Sequence, residues 1–77
     1  MKLTVAPVGA QLVLESLNCD SAQMRQLENL GFVVGVSLEV VQREQGSVIV
    51  SVMNSRVALG KELAKLINVN PVSASGL

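Results

Sequence analysis

The sequence predicts a mainly β fold, a small β-barrel carrying one or two short helices. Three observations carry that prediction. The apolar residues are enriched in valine, whose branched Cβ favours strands over helices. Several short runs alternate apolar and polar residues with period two, and turn residues separate them. Between Met24 and Val41 the apolar period changes from about three to two at a pair of glycines, which marks a helix-to-strand corner.

At 77 residues the chain makes one domain, near the lower limit for folding without disulfides or metal. Half of it is hydrophobic (49%), yet Phe32 is the sole aromatic residue, so the core must be aliphatic. The expected domain spans 1–70, with 71–77 as a tail.

Lys2 to Val5 reads as a short extended segment. Pro7 and Gly9 then fit the second and fourth positions of a type I turn. Gln11 to Leu17 is the first long strand, with Leu12 and Leu14 on one face and Gln11, Val13 and Glu15 on the other. Asp20 with Gln23 three residues later forms a capping-box pattern, opening a helix from Ser21 to Leu30. Met24, Leu27 and Leu30 line one side of it. Gly31 sits where a helix ends in a left-handed residue, and a Schellman ending would bring Phe32 onto Leu27. Gly35 closes the link.

The second strand, Val36 to Arg43, points Val36, Leu38 and Val40 to one face. It meets the third, Ser47 to Met53, through Glu44-Gln45-Gly46, where Gly46 suits the positive φ of a short hairpin. Val48, Val50 and Val52 oppose Ile49, Ser51 and Met53. Asn54-Ser55 forms a second turn, and Arg56 to Ala58 a fourth strand. Helix formers follow Gly60, in a segment too short to stand without Leu59 and Leu63 packing beneath it. Ile67-Asn68-Val69 is the closing strand, and Asn70 to Leu77 the tail. Barrel closure would remove the exposed edges of so valine-rich a sheet.

The same residues exclude most chemistry. Without His, Trp or Tyr, no nucleophile has an evident activating base, and no catalytic residue is assigned. Cys19 reads as a small apolar residue, and as a single cysteine it forms no intrachain disulfide. Six acidic side chains are dispersed, so neither a metal site nor a cofactor is expected within one chain. Gly31 and Gly35 are structural, since no phosphate-loop pattern follows them. Six basic and six acidic residues give zero net charge, which argues against nucleic acid as partner. One Phe provides neither a polyproline groove nor a base-stacking platform. No apolar run suits a signal peptide or membrane insertion, so a cytoplasmic location is expected. Mean hydropathy is nonetheless high at +0.49, so some of Val33, Val34, Val41, Ile49 and Leu77 must reach the surface. A contiguous patch of them would mark a partner or self-association. Val33, Val34 and Arg56 are the candidate partner contacts.

The run L-x-x-L-G-F-x-x-G-x-x-L-x-V from Leu27 to Val40 resembles the signature of FeoA-domain proteins. Pro7-Val8-Gly9-Ala10, the hairpin from Val36 to Met53, Arg56 to Leu59, Ala64 and Ile67 to Val69 resemble other parts of that family, in order. Val34, Asn54 and Gly60 depart from it, standing where proline, glycine and a basic residue are frequent. The resemblance implies an SH3-like barrel, an accessory of bacterial ferrous-iron transport without enzymatic activity. Its implied partner is the cytoplasmic part of the membrane transporter FeoB. The fold is also similar to the C-terminal domain of metal-dependent repressors, which makes a stand-alone regulatory domain the alternative. A small enzyme or metal chaperone would need a metal site.

Overall fold

Alternating valines and leucines build the sheet, and two local irregularities bend it. The computed structural model describes residues 1–45 and 47–72. Its strands are β1 (Gln11–Leu17), β2 (Ser37–Glu44), β3 (Ser47–Val52), β4 (Ser55–Leu59) and β5 (Ile67–Pro71), with helices α1 (Ser21–Asn29) and α2 (Lys61–Ala64). All neighbours pair antiparallel in the order β4-β3-β2-β1-β5. The mainly β expectation holds, and five strands match the five expected.

The inward set is the one the alternation selects. Leu12, Leu14, Leu38, Val40, Val48, Val50, Val52, Ile67 and Val69 are buried, joined by Leu3, Leu27, Phe32, Leu59 and Ala64. No polar or charged residue is buried among the described residues. Each deeply buried Leu, Val or Phe contributes about 1.5–3 kcal/mol of transfer free energy. An aliphatic core with one aromatic therefore holds this small domain together.

Register shifts place an extra residue at Glu15 in β1 and at Val41 in β2. The second reverses the inside–outside period, so Arg43 pairs with buried Val48 and turns toward the barrel end. There its guanidinium donates to the carbonyls of Thr4 (3.1 Å) and Ala6. Those carbonyls belong to a single 3-10 turn at Leu3–Val5 and to Ala6, which caps its end, where the sequence predicts an extended segment over Lys2 to Val5. Burial of Leu3 and Ala6 against the core, with Arg43 bonded to its carbonyls, favours the tighter turn.

Three further expectations shift by a residue or two. Ala10 N–H donates to Pro7 (3.3 Å), so the first turn runs Pro7–Ala10 and Gly9 takes its third position at φ +88°. That is the type II place for glycine rather than the fourth position of a type I turn. The second hairpin turns on Met53-Asn54, both at positive φ (50° and 64°), one residue earlier than expected. Asn70 and Pro71 belong to β5, and Val72 N–H donates to Gln11, so the barrel continues past the expected start of the tail. The Gly46 turn and residues 73–77 lie outside the described ones. The sheet order is open, because β4 and β5 are not hydrogen-bonded to each other. Edges therefore persist where closure was expected to remove them.

Candidate interaction surface

The corner after α1 is assembled by backbone geometry. Asp20 accepts from Gln23 N–H at 2.8 Å and Gln23 Oε1 accepts from Asp20 N–H, completing the capping box. Only Leu27 of the helix is buried; Met24 is half-buried and Leu30 is 40% exposed. A short helix on the rim of a barrel has one residue facing the core, which narrows the expected three-residue stripe. At its end Gly31 (φ +102°) donates to Glu28 and Phe32 donates to Leu27, both at 3.0 Å. These are the two bonds of a Schellman ending, and they drop Phe32 into the core.

Gly35 pins the other side of the corner. At φ +94° its N–H meets the Leu14 carbonyl at 2.9 Å, and Leu14 N–H returns a bond to Val36. The link is thereby tied to α1 and to β1 at once. Val33 and Val34 stand between the two anchors, 41% and 66% exposed. They have no inward direction available, because Phe32 already fills the core side.

The tip of the β3–β4 hairpin folds against this corner. Met53 is 66% exposed, and its Sδ lies 3.3 Å from where a Cβ on Gly31 would sit. Met53 thus reaches the corner at Gly31, and Leu30, Val33 and Val34 are exposed apolar residues flanking that glycine in the chain. Beside the corner lies a concavity of about 360 Å³ whose lining includes Val36, Leu38, Ser51, Met53, Gln11 and Glu39. Two of its lining residues are joined by Gln11 Nε2 donating to Glu39 Oε1 at 3.1 Å. Arg56 is exposed on β4 opposite Ser51, next to this concavity but outside its lining.

The structure therefore brings Val33 and Val34 to one exposed corner and sets Arg56 apart on the neighbouring hairpin. Met53 escapes sequence reading because it continues the strand alternation. The signal available was the Asn54 that follows it, which accepts the left-handed conformation a two-residue turn demands. Cys19 is free and half-buried. Among the described residues no three His, Cys, Asp or Glu side chains gather as a metal site. No helix of the described residues is long and apolar enough to cross a membrane.

Residues 1–71 match the FeoA domain. The chain belongs to the FeoA domain family. A provisionally named Fe(2+) transport protein A of Methanocaldococcus jannaschii is 28% identical over 74 residues, covering 96% of this chain and 90% of its own. Zinc-complexed FeoA of Stenotrophomonas maltophilia is 30% identical with a TM-score of 0.77, over 91% of this chain and 89% of that one. That protein is described as a prokaryotic SH3 domain protein. A manganese-dependent transcriptional repressor superposes with a TM-score of 0.85 over 94% of this FeoA-family chain and 41% of its own. At 21% identity that likeness shows the fold alone. The fold is SH3-like.

Proposed function

We propose that this FeoA-family chain is a cytoplasmic accessory of ferrous-iron transport, acting by docking on the cytoplasmic part of a FeoB-type membrane transporter. Ferrous iron is the transporter's cargo, and this chain acts on the transporter's conformational or nucleotide state. The observation that carries the reading is the corner itself. Leu30, Val33 and Val34 are exposed apolar side chains on a backbone fixed from two sides, and the exposed Met53 rests against it at Gly31. Rigid presentation reduces the ordering cost of binding, as an interaction surface requires.

The names of the relatives supply the cargo. Fe(2+) transport is the M. jannaschii protein's named role, and the S. maltophilia FeoA is described as acting possibly as a ferrous-iron transport activating factor. The chain's own residues supply a surface in place of a reactive group. The test is titration of the cognate transporter's cytoplasmic region with this protein, followed by calorimetry. Saturable binding that Val34→Asp weakens by about thirtyfold or more is expected. Absence of binding at high micromolar concentration would overturn the docking reading.

A further inference from the structure

The strand order leaves two lateral edges, at β5 and at β4. The first is covered by the chain itself. Met1 nitrogen donates to Val69 at 2.9 Å, Val69 N–H donates to Met1 at 2.7 Å, and Lys2 forms a bridge with Asn68. Among the described residues nothing comparable lies along β4. β3 and β4 pair without a bulge from Val52–Ser55 to Val48–Leu59, behind the two-residue turn at Met53-Asn54. In such a hairpin the closing pair exchanges both ladder bonds, and so do Val50–Val57 and Val48–Leu59. The N–H and C=O groups of Arg56 and Ala58 consequently point away from β3. Among the described residues they join no hydrogen bond outside the ladder.

We infer that the β4 edge pairs with the β4 edge of a second copy of this chain, antiparallel, about a two-fold axis at Val57. This register sets Arg56 of each copy opposite Ala58 of the other. Four backbone hydrogen bonds form, two at each pair, and every outward group of Arg56 and Ala58 is satisfied. It also keeps the single charge of β4 away from its own image, since an axis at Arg56 would oppose like charges.

Charge complementarity supports the same arrangement. Opposite residues share a face, so Arg56 of the second copy lies beside Ala58 on the outer surface. Ala58 rims a concavity of about 190 Å³ whose other lining residues are Gln42, Glu44, Ser47, Val48 and Ile49. Glu44 is its one charged group, and the ion pair found among the described residues, Lys65–Glu62, involves neither Glu44 nor Arg56. The two-fold places an arginine near an acidic concavity twice. Zero net charge adds no long-range repulsion between copies.

Sedimentation equilibrium of the native chain from micromolar to millimolar concentration tests the inference. A monomer–dimer equilibrium is expected. Ala58→Pro removes an outward N–H while leaving the β3–β4 ladder intact, and weakens the dimer by about tenfold or more with an unchanged circular dichroism spectrum. Arg56→Glu weakens it as well, and the exchange Arg56→Glu with Glu44→Arg restores it. If the proline variant does not fold, the charge exchange decides. A monomer throughout, or a dimer indifferent to both substitutions, overturns self-pairing. So does β4 amide protection that appears only with the transporter fragment, which assigns the edge to a foreign strand.

Discussion

Gly31 and Met53 meet across the corner: a Cβ on the glycine would come within 3.3 Å of the methionine sulfur. Gly35, with nearly the same positive φ, has open space where its Cβ would be. The two glycines therefore separate backbone strain from crowding. Gly35→Ala carries the conformational cost alone, about 1–2 kcal/mol. Gly31→Ala carries that cost and must also displace a side chain, so it destabilises more, by a few tenths of a kcal/mol because methionine yields. Urea denaturation of both variants measures this. A larger loss for Gly35→Ala would show that Met53 does not rest on the corner.

Met53 itself occupies a conformation that suits it poorly. At φ 50° in a two-residue turn, asparagine or glycine is the favoured residue, yet an exposed thioether stands there. Met53→Asn is expected to leave stability unchanged or raise it by about 0.5 kcal/mol, since little packing is lost. The same change should weaken binding to the transporter's cytoplasmic region. Improved stability with undiminished binding would remove Met53 from the docking surface.

How far the sequence discloses this surface depends on the range of the interactions. The Schellman ending and capping box are local, and Asp20, Gln23, Gly31 and Phe32 announce them directly. Val33 and Val34 are legible as surplus apolar residues in a link that has no core side left. Arg43 is not legible. Its turn toward the barrel end follows from the bulge at Val41, and nothing in an unbroken Val-Val-Gln-Arg run marks where the ladder slips. The 3-10 turn at Leu3–Val5 and the covering of β5 by Met1 are set by contacts more than sixty residues apart or by Arg43 itself. Such pairings leave no trace in local periodicity. The start of the tail is misjudged for the same reason, because Asn70 and Pro71 are ordered by β1.

Arg43 provides a prediction that is independent of any partner. Its two carbonyl contacts fasten the opening turn to β2, with a planar fork reaching both oxygens. Arg43→Ala should cost about 1–2 kcal/mol, in the range of hydrogen bonds to a charged group discounted for exposure. Arg43→Lys, with a single ammonium, should recover part of it. Hydrogen exchange would show faster protons at Val5 and Ala6, whose N–H groups close the turn. Unchanged exchange there would mean that burial of Leu3 alone holds the segment.

Substitutions at Val34 and Arg56 test whether docking uses the corner or extends to β4. Both side chains are exposed, and neither belongs to the core, so Val34→Asp and Arg56→Ala should each leave stability within about 0.5 kcal/mol of the parent. On the transporter fragment their effects should differ. A carboxylate at Val34 replaces an exposed apolar side chain of the corner and must be desolvated on docking, which costs about 2 kcal/mol or more in binding free energy. Arg56 stands beside the concavity without lining it, and its loss should change affinity by about threefold at most, mainly through the association rate. Titration calorimetry on the two variants decides the matter. Equal losses would place β4 inside the contact, and a neutral Val34→Asp would move docking away from the corner altogether.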